Sequence, residues 1–129
     1  MEKIGWTKEY HEDLGSKDEK GWYDYAYRYY IYMFFLPNNS KIRVRRYTDT
    51  PDHCSLFLPD EDLAEKKALD KSPSKNYIYG IINFLLKKEN LKTIDYYNLG
   101  YKSIDLNKVN NNLKDFTFEE KKVGKKLSS

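Results

Sequence analysis

Apolar and polar positions alternate with no single period along this chain. Residues 22 to 36 are aromatic or apolar at most positions, on both alternating faces. Tyr, Phe, Ile and Met suit a strand, where large side chains pack across the pleat. The following PNNS, residues 37 to 40, is a turn signal. IRVRRY, residues 42 to 47, then alternates cleanly, which predicts a β-hairpin. A loop centred on Asn38-Asn39, or a four-residue loop from Pro37 to Ser40, makes the paired residue numbers sum to 77. Ile31, Met33, Phe35, Ile42 and Val44 then form the core face, with Tyr29 beside them. Tyr30, Tyr32, Phe34, Arg43, Arg45 and Tyr47 share the other face, with Lys41 near the turn. A loop of odd length would re-pair the strands and break this separation.

The remaining pattern predicts an α+β domain. Trp6, Tyr10 and Leu14 have the spacing of one helix side, and Gly15 is placed to end it. Residues 1–21 are therefore expected to be a helical or mobile N-terminal arm. CSLFLP, residues 54 to 59, reads as a third strand, with Leu56 and Leu58 on one side and Phe57 on the other. Asp60 is placed to cap a surface helix over roughly residues 61 to 70. The strongest helix signal is KSPSKNYIYGIINFLLKK, with Ser72 or Ser74 as cap and Ile78, Ile81, Ile82 and Leu85 as its buried stripe. Gly80 within it favours a close approach to the sheet. KTIDYYNLGYKSIDL predicts a second hairpin turning at Gly100. NKVNNN reads as irregular or weakly helical. Thr117 and Glu120 stand at capping-box spacing for a final helix, and residues 124–129 read as a frayed tail. Together these elements predict a single domain over residues 1–129. Its mainly antiparallel sheet, including the N-terminal hairpin, packs against one principal helix at residues about 74–88.

Length and charge refine that picture. A chain of 129 residues suits one domain with a real core. The net charge is +3, from 23 basic and 20 acidic residues, too small to demand a nucleic-acid partner. The distribution is uneven, because residues 41 to 46 carry four basic groups and no acid. One cysteine, Cys54, allows no internal disulfide, and a reducing, cytoplasmic setting is the simplest expectation. No apolar segment has the length of a membrane span, so no membrane partner is expected.

Familiar catalytic motifs are absent from the sequence: no GxGxxG, Walker-type loop, HExxH, CxxC or nucleophile elbow occurs. His11 lies in YHED beside Glu12 and Asp13, but sequence neighbours point in different directions. His53 precedes Cys54, and on a strand the two face opposite ways, which favours Cys54 as a small core residue. Asp49, Asp52, Asp60, Glu61 and Asp62 sit where turns and a helix start use Asp and Glu. No cofactor and no metal site is expected from these residues.

The richest candidate is a binding face of Tyr30, Tyr32, Phe34, Lys41, Arg43, Arg45 and Tyr47. Tyrosine and arginine recur at protein hot spots, and rings with guanidinium groups also suit nucleobases and phosphate. Plain burial of these rings, with arginines reaching to water at the rim, is the competing structural reading. The expected function is a small intracellular non-catalytic binding protein. It is of the kind that inhibits or confers immunity by masking a protein partner with an acidic surface. The alternatives are a single-stranded nucleic-acid-binding module using the same face, and a small hydrolase using carboxylates and a histidine. Homodimerisation competes with all three.

Overall fold

A computed structural model of the chain describes residues 2–59, 69–97, 100–111 and 116–121. Seven strands form one sheet: β1 (Glu2–Leu14), β2 (Ala26–Phe35), β3 (Lys41–Tyr47), β4 (His53–Phe57), β5 (Thr93–Tyr97), β6 (Tyr101–Ser103) and β7 (Phe116–Glu120). The principal helix α1 spans Lys75–Lys88, and a short α2 spans Leu106–Asn111. The strand order is β6-β5-β4-β3-β2-β1-β7. The β4–β5 and β1–β7 pairs are parallel, and the other neighbours are antiparallel. The fold is α+β, as the sequence predicts.

The hairpin register differs from the expected one. Tyr32 pairs with Val44, Phe34 with Ile42 and Met33 with Arg43. The loop is odd, because Leu36 and Ser40 close it through a 2.9 Å hydrogen bond, leaving Pro37, Asn38 and Asn39 in the turn. Asn39 takes φ 69°, the left-handed conformation that ends a three-residue hairpin loop and that Asn tolerates. Side chains alternate with period two, so the shift rearranges the faces of β2 relative to β3. Tyr32 and Phe34 join Ile42 and Val44 in the core, at 1% and 0% exposure. Ile31, Met33 and Phe35 lie half-buried on the opposite face.

Two segments expected as helices are strands. Glu2–Leu14 is not a helical or mobile arm but a strand of 13 residues, paired along ten of them with β2. Positions four apart share a face in a strand as well as in a helix, so the spacing of Trp6, Tyr10 and Leu14 fits both. The long-range partner decides between them. Phe116–Glu120 forms β7 rather than the start of a helix, lying parallel to Glu2–Trp6. There the alternation of Phe116 and Phe118 outweighs the capping spacing. NKVNNN contributes to α2, and Tyr97 pairs with Tyr101 across the second hairpin. The expected surface helix falls mostly on residues 60–68, outside the described residues; a single 3-10 turn, Leu69–Lys71, follows them. The proposed frayed tail also lies outside the described residues.

Helix α1 covers one face of the sheet. Ile78, Ile81, Ile82 and Leu85 are buried there, each gaining about 1.5–3 kcal/mol from leaving water. The helix begins after Ser74, whose amide donates to the Ser72 hydroxyl at 3.1 Å. Gly80 is needed for close approach: a Cβ there would lie 2.5 Å from Phe116 Cδ2. At the β1 side, Trp6, Phe34, Phe84 and Phe118 form an aromatic cluster, with Phe84 and Phe118 stacked at 4.2 Å.

The helix ends on a charged cluster. Glu89 follows Lys88 and is held by Lys8 Nζ and Arg46 Nη2, each 3.4 Å away, while Tyr32 Oη donates to it at 2.9 Å. A carboxylate at a helix C-terminus is disfavoured by the helix dipole, and the two cations offset that. Burial raises the Glu89 pKa, but the Tyr32 hydrogen bond and the charges of Lys8 and Arg46 outweigh it and hold the carboxyl below its usual range. Burial, and then the hydrogen bond to Glu89, push the Tyr32 hydroxyl far up.

A candidate binding face

Among the described residues, none covers the sheet face opposite α1. Among the described residues of β2 to β6, every side chain on it is at least partly exposed. Register sets its rows. Tyr101, Tyr97, Phe57, Arg43, Met33 and Thr7 lie in one line across six strands. Ser103, Asp95, Ser55, Arg45, Ile31 and Glu9 form the next. A groove of about 380 Å³ runs between Glu9, His11, Tyr29, Ile31, Arg43, Arg45 and Phe57.

Two arginines dominate the groove. Arg43 Cζ lies 4.5 Å from the Phe57 ring centre. Arg45 sits between Tyr47, at 5.0 Å, and Phe57, at 5.2 Å, and donates from Nη2 to Tyr101 Oη at 2.9 Å. Cation–π contacts of this kind contribute about 0.5–1 kcal/mol each when exposed and hold guanidinium planes in place. The Arg45 Nε and Asp95 Oδ1 atoms are buried with no hydrogen-bond partner. Across the groove His11 Nε2 lies 3.0 Å from Glu9 Oε1, and its ring stacks on Tyr29 at 5.6 Å. Tyr29 donates to Asp13 at 2.8 Å, and that hydrogen bond, with burial, raises its pKa.

The expected binding residues separate. Lys41, Arg43, Arg45 and Tyr47 lie on the open face. Tyr32 and Phe34 are in the core, and Tyr30 is half-buried on the helix side, with Lys8 Nζ 4.6 Å and Arg46 Cζ 5.2 Å from its ring centre. The odd loop explains the division, because it moves β2 by one position against β3. Tyr29, Phe57, Tyr97, Tyr101, Glu9 and His11 complete the open face and were not expected there. Phe57, on the opposite side of the third strand from Leu56 and Leu58, was the available signal, and the sequence reading did not connect it with Arg43 and Arg45.

The other candidates resolve more simply. His53 Nδ1 lies 2.7 Å from Thr93 Oγ1 and its Nε2 3.4 Å from Asp95 Oδ2, at the open face. Cys54 faces the other way into the core. Burial, then the charge of Asp95, push its thiol up to about 12. The native protein is therefore expected to resist iodoacetamide at pH 8, and the unfolded chain to react, which mass spectrometry of alkylated Cys54 would read. Fast native labelling would contradict the buried thiol. Asp49 and Asp52 lie in the exposed turn before β4, while Asp60, Glu61 and Asp62 fall outside the described residues. Among the described residues no three His, Cys, Asp or Glu side chains are grouped to hold a metal ion. None of their helices is long and apolar enough to cross a membrane. No family model, no curated protein and no solved structure matches the chain.

Proposed function

We propose that this chain is a non-catalytic binding protein that masks an acidic patch of a protein partner with its open sheet face. The observation that carries this reading is the exposed Arg43 and the half-buried Arg45, both against aromatic rings, beside Tyr101 and the groove. Such side chains meet a partner with little conformational entropy left to lose, since the ring contacts already order the guanidinium groups. Inhibitor and immunity proteins act in this way, by occupying a surface rather than by chemistry. A phosphate backbone fits less well, because the face continues into an acidic segment that would repel it. The hydrolase reading retains one supporting feature, the His11–Glu9 pair in the groove, but the groove's lining offers no second carboxylate to share acid–base work.

Affinity capture at low salt on the immobilised protein tests the proposal. A protein retained by the wild type and lost from R43E/R45E is the expected result. Retention that ignores this double substitution would overturn it.

A further inference from the structure

Six of the seven exposed large apolar side chains among the described residues lie between positions 10 and 27: Tyr10, Leu14, Trp22, Tyr23, Tyr25 and Tyr27. They belong to an arm. β3 pairs with β2 only as far as Tyr29, whereas β1 and β2 continue together to Leu14 and Ala26. Backbone bonds carry the ribbon further, from Gly15 N to Tyr25 O and from Asp18 N to Trp22 O, to a turn closed by Gly21 at φ 86°. Trp22 at the tip is 70% exposed. A two-stranded ribbon in water is marginal by itself, so keeping this many rings on one is a cost that a docking partner would offset.

Charge identifies the partner. Glu12 and Arg28 pair with each other on the α1 side of the ribbon, and residues 13 to 27 carry four acids, Asp13, Asp18, Glu19 and Asp24, against two bases, Lys17 and Lys20, toward the open face. The opposite end of the same face is cationic, with Lys3, Lys41, Arg43, Arg45 and Lys121 around Glu119. The Tyr29–Tyr47 pair lies between the two ends, at 5.6 Å. The open face is thus acidic and aromatic at one end and basic and grooved at the other.

We infer that two copies of this chain pair face to face about a two-fold axis, each laying its acidic aromatic arm over the arginine groove of the other. A two-fold axis that lies in the interface plane and perpendicular to the strands reverses the strand direction, so each acidic end meets a basic one. The contact is isologous and closes at two copies. Stable interfaces bury about 800 Å² per partner, which is the area this pairing has to cover. The inference rests on the open face being a contact surface, but not on any foreign protein.

Sedimentation velocity over a concentration series tests it, with two charge variants whose substitutions lie on exposed or half-exposed side chains. The wild type is expected to sediment at twice its 15.5 kDa mass. R43E/R45E, with an acidic groove, and D13K/E19K, with a basic arm, are each expected to be monomeric. Mixed in equal amounts, the two variants are expected to recover the dimer, because every arm then meets a groove of opposite sign. Trp22→Ala is expected to weaken the dimer roughly tenfold or more, as loss of an interface anchor does, with the Tm of the dilute, dissociated protein unchanged. A wild type that stays monomeric overturns the pairing and leaves the capture experiment to decide the open face's role. A dimer that survives both charge variants places the interface elsewhere and overturns it too.

Discussion

Phe34→Ala is expected to lower the unfolding free energy by about 3–5 kcal/mol, whereas Phe35→Ala beside it should cost about 1 kcal/mol or less. The two residues are chemically identical neighbours on one strand, so the contrast isolates their facing. Phe34 is 0% exposed and touches Trp6, Phe84 and Phe118, which cannot close over the hole left by its ring. Phe35 lies on the open face under the ammonium groups of Lys41 and Lys121, at 5.8 and 5.5 Å from its ring centre. Water can take the place of its ring. Urea titration of both variants reads the difference. Equal losses, or the reverse order, would mean that β2 pairs with β3 one residue out of the register described above.

Glu89→Gln is expected to cost about 2–4 kcal/mol at pH 7, toward the range for breaking a largely buried ion pair. Lys8 and Arg46 would be left facing each other without their shared carboxylate, and Tyr32 would lose a charged acceptor. The pH dependence has a definite sign. A carboxyl whose folded pKa lies below its unfolded value, about 4.3 for Glu, contributes stability that is fully present above the unfolded value. That contribution disappears as the pH falls through the folded pKa. The gap between wild type and Glu89→Gln should therefore be constant from pH 7 to about pH 5 and narrow below about pH 4. Urea midpoints at a series of pH values measure it. A gap that widens on acidification would mean that Glu89 is not held ionised by the two cations.

These two results bear on different levels of the molecule. Phe34 reports on register, and register sets which arginines are free to meet a partner. Glu89 reports on the tie between the helix end and the sheet, made by Lys8 from β1 and Arg46 from β3. Arg46 and Arg45 are adjacent in sequence with opposite duties. One closes the core cluster and the other lines the open groove, because neighbours on a strand face opposite ways.

Much of the architecture was legible because it rests on local patterns. The apolar stripe of Ile78, Ile81, Ile82 and Leu85 has the helical period, and the turn residues at 37–40 and 98–100 mark two hairpins. Leu56 and Leu58 alternate with Phe57, so the third strand and its facing follow directly. The candidate site was legible only in part. Arg43, Arg45, Lys41 and Tyr47 were placed together correctly, because they lie on one strand. Tyr30, Tyr32 and Phe34 were joined to them through an assumed even loop, and that step failed.

By itself the sequence determined the α+β class, the principal helix, both hairpins and the four-member set on β3. It also determined that one strand would carry rings on both faces. Only the tertiary structure decided which rings are covered. β2 is aromatic on both sides, so hydrophobicity cannot choose its inward face. A single left-handed residue, Asn39, makes that choice through the loop length. Spacing of four residues reads alike in helix and strand, so β1 was decided by its pairing with β2, and β7 by its pairing with β1. The joining of Glu9 and His11 from β1, Arg43 and Arg45 from β3 and Phe57 from β4 into one groove depends on strand order. Strand order is set by contacts between residues far apart in the chain, and no local pattern encodes it.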